Sequence, residues 1–384
     1  LEQQVLPKTS EDVSIFDRAL KRVEENRVKT INCIPFGLPR FEEFLPGIER
    51  RKYYLITANS GVGKTQIADH LFLYQPFDYM LAHPEINIKW FYWSLELDKE
   101  TKWIQGVARY LFIKYGIRTD TKQLQSIGKK RITEDLWNKF KEARRYMDLL
   151  ESKIIYFHDD PINPYGIIKE IEKYYKDHGT IHYKTYLHKN EDGTTEERKI
   201  FDYYEPDNPD EYVISITDHL SELTPETEGK GAEKRKLNLK ETIEKHSDNN
   251  KYLRNRYGLT AVDVQQQMAA KEEQQFTMMS GKTIVSKLEP SLDGLAESKL
   301  TQRKANIVLG LFSPERFELE EHAGYNIKRL GDHYRSLKIL KNREGMSNIR
   351  VGLFFDGAIN YFSELKPALS MTSNDYAEIE KRVI

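Results

Sequence analysis

The chain has 384 residues, enough for one large or two ordinary domains, and its 39% apolar and 31% charged residues are the balance of a globular protein with a strongly hydrated surface. Gly 21 and Pro 14 are too few for a disordered or fibrous sequence, no apolar run approaches the roughly 20 residues that cross a bilayer, and the one cysteine, Cys33, excludes an internal disulfide and a cysteine-built zinc site. Lys+Arg 59 against Asp+Glu 60 leaves a net charge of −1, so a nucleic acid can be gripped only by a local concentration of positive charge.

Residues 1–30 read as an arm. Ser10 can cap a helix in which Val13, Phe16, Leu20 and Val23 recur at three- and four-residue steps, a stripe expected to dock on the chain's own core or on a neighbour. No basic segment followed by an apolar one opens the sequence, so no signal peptide is expected. From Ile31 to residue 384 the pattern is alternating strands and helices. Strands are expected at Lys52–Thr57, Asn87–Leu95, Lys153–His158, Tyr212–Thr217, Thr260–Gln265, Asn306–Phe312, His333–Leu340 and Ile349–Phe355. Several are near-continuous apolar or aromatic runs, which marks strands buried on both faces. Among the helices the clearest follows Thr133, where Leu136, Phe140, Ala143, Met147 and Leu150 form one stripe. Such alternation predicts one α/β domain around a mostly parallel sheet.

Three segments break the alternation. Residues 180–210 hold two Tyr-rich runs around Asn190-Glu191-Asp192-Gly193, read as a hairpin insertion. Residues 221–258 carry Lys230, Lys234, Arg235, Lys236 and Lys240, and residues 270–300 carry Lys271, Lys282, Lys287 and Lys299. A charge run is usually a solvated surface, and Glu228 and Glu233 dilute the first cluster.

The strongest chemical signal is Ala58-Asn59-Ser60-Gly61-Val62-Gly63-Lys64-Thr65-Gln66. It matches the phosphate-loop pattern GxxxxGK[ST] with Ala58 in place of the first glycine, after an apolar strand and before a helix. Gly61 and Gly63 let successive N–H groups point at phosphate oxygens, Lys64 would reach the β- and γ-phosphates, and the Thr65 hydroxyl would ligate Mg²⁺. The expected ligands are therefore ATP and Mg²⁺. Hydrolysis needs further carboxylates. Tyr212–Asp218 is an apolar strand ending in an acid, which would hold Mg²⁺ through water, and Trp90–Glu96 is another, which makes Glu96 the candidate for polarising the attacking water. The plainer alternative for each acid is a cap on the following helix.

At these residues the chain resembles the RecA-like motor domain of DnaB-type replicative helicases, in the form found in phages. The resemblance runs from about Ile31 to Phe362. Ser94-Leu95-Glu96-Leu97 is similar to the family's Ser-Leu-Glu-Met motif, whose glutamate is the catalytic base, and Asp218-His219-Leu220 stands where the family has Asp-Tyr-Leu. Val264-Gln265-Gln266-Gln267-Met268 resembles a Ser-Gln-Leu motif, which implies that Gln266 senses the γ-phosphate; the run of three glutamines leaves that assignment open by one residue. Ile339-Leu340-Lys341-Asn342-Arg343-Glu344-Gly345 is similar to the Lys-x-Arg hairpin that serves a neighbouring subunit's ATP, so Lys341 and Arg343 are expected as a pair on one strand face. Phe157-His158-Asp159-Asp160-Pro161 is similar to an Ile-Asp-Asp-Thr-Pro strand end, with structural carboxylates.

The resemblance implies a RecA-like P-loop NTPase core with a mostly parallel twisted sheet flanked by helices, working as a homo-hexamer. The implied activity is an ATP-dependent DNA helicase on single-stranded DNA during replication, with primase or other replisome proteins as partners and the cytoplasm, a host's if phage-encoded, as location. Residues 221–258 and 270–300 are the candidate DNA-loop segments, and Lys234, Arg235, Lys236, Lys271, Lys282 and Lys287 are the candidate DNA contacts. No counterpart of the family's helical N-terminal domain is found in these residues. Two other readings remain: a RecA-like recombinase or annealing ATPase, and a nucleotide-binding assembly or loader protein without motor activity.

Overall fold

The computed structural model describes residues 14–29, 31–190, 193–228, 234–268 and 285–382. In chain order the strands are β1 Tyr53–Ala58, β2 Asn87–Ser94, β3 Ile154–His158, β4 Gly179–Lys189, β5 Thr195–Pro206, β6 Glu211–Asp218, β7 Thr227–Glu228 and β8 Arg235–Lys236. They continue with β9 Thr260–Gln266, β10 Ile307–Phe312, β11 Glu321–His322, β12 Tyr325–Asn326, β13 Tyr334–Asn342, β14 Arg350–Asp356 and β15 Tyr361–Glu364. Nine of them form one sheet in the order β15-β14-β13-β10-β1-β9-β6-β2-β3. The pairings from β10 across to β3 are parallel, and β13, β14 and β15 add an antiparallel flank. All eight expected strands are present in this sheet. The short edge strand β15 is an addition to them; four residues are too few for a periodic pattern.

The central strand β1 is buried along its whole length, and its alternating side chains feed two cores. Tyr54, Ile56 and Ala58 pack with the helical stretch 64–82, the helix Lys99–Tyr115 and the helices over 134–153. Tyr53 and Leu55 face the other way, against helices Pro164–Asp177 and Leu239–Tyr257. Each such large apolar side chain contributes about 1.5–3 kcal/mol by leaving water. A third, smaller cluster seats the helix Ser373–Arg382 on Tyr334 and Phe354.

Three expectations need correction. The stripe after Thr133 belongs to two helices, Glu134–Glu142 and Arg144–Lys153, meeting at Ala143, with Leu136, Ala143, Met147 and Leu150 buried as expected. The arm helix is Ile15–Val28, capped by Ser14 rather than Ser10, because Ser14 and Asp17 exchange the two bonds of a capping box; Ser10 and Val13 lie outside the described residues. Its apolar residues Phe16 (72% exposed), Leu20 and Val23 face solvent, while Arg18 on another face pairs with Asp202 at 3.1 Å. Finally, residues 239–257 are not a loop but a helix with Ile243, His246 and Leu253 buried, which restricts any loop in 221–258 to its first half.

β4 and β5 pair only with each other, from Gly179↔Pro206 to Lys189↔Thr195. This hairpin stands on an aromatic foot, where Tyr204 meets Tyr175 and Tyr257 at ring-centroid distances of 5.5 and 5.3 Å.

Candidate functional site

Ligands of open α/β sheets bind beyond the carboxyl ends of the strands, where the strand order changes direction. Here β1 is that strand, flanked by β9 and β10, and the phosphate loop leaves its carboxyl end. Gly61 and Gly63 have φ of +71° and +102°, a left-handed backbone that a side chain strains. A Cβ on Gly63 would also lie 3.2 Å from the Phe355 ring. Gly63 then caps the helix Lys64–Asp69, which continues through a single π-turn, His70–Tyr74, a feature frequent at functional sites. Lys64 is buried, and its Nζ donates to the Asn59 carbonyl at 3.3 Å.

The Thr65 hydroxyl donates to Asp218 Oδ1 at 3.0 Å. Asp218 ends β6 at 1% exposure, and its Oδ2 has no hydrogen-bond partner among the described residues. A hydroxyl and a half-engaged buried carboxylate side by side suit Mg²⁺, which takes few protein oxygens and fills its shell with water and phosphate. Among the described residues no group of three or more His, Cys, Asp or Glu could hold a metal by itself.

Glu96 lies on the turn between β2 and the helix Lys99–Tyr115. That turn is stitched to the end of β6, since the Leu95 N–H donates to the Asp218 carbonyl at 2.7 Å. The Glu96 side chain is 54% exposed. In β9, Val262 and Val264 face the phosphate-loop side with Ala58, so alternation puts Gln266 on that face too. Gln265 is occupied elsewhere, donating to the Ser298 carbonyl at 2.9 Å, and Gln267 donates to Thr57 Oγ1 at 2.9 Å and the Ser291 carbonyl at 3.1 Å. Gln266 is the one of the three whose side-chain amide is engaged by no other described residue.

The structure places Lys341 and Arg343 elsewhere. β13 runs antiparallel to β10 with Asn342 opposite Ile307, at the end of the sheet away from the phosphate loop. In β1 the partner of Ile307 is Tyr54, four residues before Ala58, or about 13 Å along the strand. The expected alternation on one strand also fails, because β13 ends at Asn342 and Arg343 follows it. Both cations instead turn onto the carbonyls at the end of the short helix Thr301–Lys304: Lys341 reaches those of Gln302 and Ala305, and Arg343 that of Arg303. Helix carboxyl ends attract cations. Burial, and next the Arg343 charge, lower the Lys341 ammonium to about 8.

Several groups at the site carry no local sequence signal. Arg316 donates to the Ser60 carbonyl, and Arg335, buried in β13, donates to the Val62 carbonyl at 2.8 Å, so two distant arginines brace the phosphate loop. Behind Asp218 lies a buried ammonium. Lys102 Nζ is 2.7 Å from Asp69 Oδ2, 2.6 Å from the Tyr92 hydroxyl and 3.7 Å from Asp218 Oδ2. Burial raises the Asp69 carboxyl above its ordinary range, and Lys102 opposes the rise. Lys102→Met strands that carboxylate, and the expected loss is about 3–5 kcal/mol of folding stability. Adding Asp69→Asn should restore most of it in a denaturant titration, because the amide still accepts from Tyr92 without a charge.

Of the candidate DNA residues, Lys234, Lys236 and Lys287 are exposed. Arg235 is committed to Glu241 through contacts of 2.9 and 3.1 Å. Lys271 and Lys282 lie outside the described residues. Among the described residues no helix is long and apolar enough to cross a membrane.

No protein-family model and no curated protein matches the sequence. Solved structures match its fold. One of them, an ATPase domain, superposes with a TM-score of 0.63 at 18% identity, covering 92% of this chain and 100% of that one. A DnaB-like replicative helicase, described together with its interactions with primase, gives a TM-score of 0.61 at 18% identity over 92% of this chain and 69% of its own. The chain has the RecA-like fold of the ATPase domains of DnaB-type replicative helicases.

Proposed function

We propose that the protein is an ATP- and Mg²⁺-dependent motor that moves along single-stranded DNA as a homo-hexamer and separates duplex during replication. The observation that carries this reading is the gathering of Lys64, Thr65, Asp218, Glu96 and Gln266 at the carboxyl ends of β1, β6, β2 and β9, in a fold shared with helicase ATPase domains. Mg²⁺ held at Thr65 and Asp218 would offset phosphate charge. The backbone N–H groups of residues 61–65 and the Lys64 ammonium hold the phosphates, Glu96 takes up the proton of the attacking water, and Gln266 is placed to contact the γ-phosphate. Lys341 and Arg343, too far from their own loop, are assigned to a neighbour's nucleotide. Primase or another replisome protein is the partner class that the helicase neighbour suggests.

Strand separation by the purified protein tests the reading. Unwinding that needs ATP and Mg²⁺ and disappears in Lys64→Ala supports the motor; annealing or strand exchange would indicate a recombinase-like ATPase, and neither activity an assembly protein. DNA affinity should be independent of base sequence and fall steeply with salt. Replacing Lys234, Arg235 and Lys236 together by Ala should reduce the log–log salt slope by about 0.7 for each phosphate that is no longer neutralised. With Arg235 already paired to Glu241, the change should correspond to about two phosphates; an unchanged slope would assign the cluster to ordinary surface.

A further inference from the structure

His219 stands directly after the magnesium-side aspartate. Its Nδ1 accepts the Ser221 N–H at 3.3 Å, capping the short helical turn Leu220–Glu222. A ring nitrogen that accepts bears no hydrogen, so the neutral imidazole carries its proton on Nε2. That Nε2 lies 3.7 Å from Glu96 Oε2 and 3.9 Å from Glu222 Oε1. The ring is itself nearly buried while both carboxylates are exposed, so the fixed partner is the histidine. Among the described residues Glu96 is paired with no other side chain. The backbone bond from Leu95 to the Asp218 carbonyl, one residue before each of the two groups, sets their spacing.

We infer that His219 is a positioning residue for Glu96: its Nε2–H holds one carboxylate oxygen and leaves the other for the attacking water. A carboxylate on an exposed turn otherwise samples several rotamers, and a misplacement of about 1 Å can cost about a hundredfold in rate. Closing the 3.7 Å gap to hydrogen-bond distance needs only a side-chain adjustment of Glu96, and catalytic hydrogen bonds commonly tighten when substrate binds. This assignment rests on the proposed role of Glu96 in activating water.

Two amides separate the ring's two jobs. His219→Asn keeps an acceptor where Nδ1 meets the Ser221 N–H but ends short of Glu96, whereas His219→Gln carries a donor toward the position of Nε2. The expected result is a kcat lowered about 10–100-fold in His219→Asn, with unchanged KM for ATP, unchanged Mg²⁺ half-saturation and an unchanged unfolding midpoint. His219→Gln should recover most of the rate. In a Glu96→Gln background, His219→Asn should cost nothing further in single-turnover hydrolysis, because the group it positions is gone. Wild-type kcat in His219→Asn would reduce His219 to a cap, and an equal loss in both backgrounds would separate it from Glu96; either overturns the assignment. Wild-type-like hydrolysis by Glu96→Gln alone would instead remove the reading on which the assignment rests.

Discussion

Arg343→Ala is expected to lower ATP turnover by roughly 10³–10⁵-fold, the range for arginines that stabilise charge on a transferred phosphoryl group, even though Arg343 lies at the end of the sheet remote from its own phosphate loop. Arg343 sits beyond β13, and the register of β13 on β10 and of β10 on β1 puts the start of β1 beside it. A side chain there cannot span the strand to reach its own γ-phosphate, so any catalytic role is exercised on another subunit. Mixing two inactive variants provides the test. Lys64→Ala lacks a working phosphate loop, and Arg343→Ala lacks the donated cation. A mixed ring can set an intact loop beside an intact donor, so part of the ATPase should return on co-assembly. No recovery in verified mixed rings would exclude action on a neighbour, and undiminished turnover in Arg343→Ala alone would confine Arg343 to holding the carbonyl of Arg303, a solvent-side interaction.

Glu96→Gln should bind ATP as the wild type does and hydrolyse it about 10²–10⁴-fold more slowly. Lys64, Thr65 and the left-handed Gly61 and Gly63 are untouched by the change, so a nucleotide-binding titration and a turnover assay must part company. Glutamine preserves the length and hydrogen-bonding shape of the side chain and removes only its capacity to accept a proton. Equal losses in binding and turnover would point to a structural role for the turn between β2 and the next helix, and undiminished turnover would shift the search for a base elsewhere.

The eight strands are legible in the sequence because a strand covered on both faces must be apolar almost throughout, and Tyr53–Ala58 or Asn87–Ser94 can hardly be read otherwise. The phosphate loop is legible because its glycines, lysine and threonine are contiguous. The ambiguity among Gln265, Gln266 and Gln267 comes from the motif alone; strand alternation from Val262 and Val264 carries the information to resolve it. Lys102 with Asp69, and Arg335 with Val62, cannot be read, because each pair joins residues distant in sequence through the tertiary fold. His219 stands beside Asp218 in the sequence, but its neighbour Glu96 comes from another strand's end. Lys341 and Arg343 look like a strand pair, and the structure ends the strand one residue sooner, a boundary that side-chain pattern fixes poorly.

The β4–β5 hairpin leaves the core at Gly179 and returns at Pro206, and these two residues face each other in the first rung of the ladder. Its points of departure and return are thus one strand spacing apart, close enough for a two-residue turn to join them. A lineage or an engineer could therefore excise or replace the whole excursion without moving any strand of the nine-stranded sheet. What would remain to be repaired is the foot, where Tyr175 and Tyr257 would lose the cover of Tyr204, and the arm helix, where Arg18 would lose Asp202. Gly179 marks the hinge of this modularity: a Cβ there would fall 2.5 Å from the Glu205 carbonyl oxygen and still closer to the Tyr204 hydroxyl. The far end of the appendage, past Lys189, can accordingly change in length and sequence without disturbing the pairings of the nine-stranded sheet.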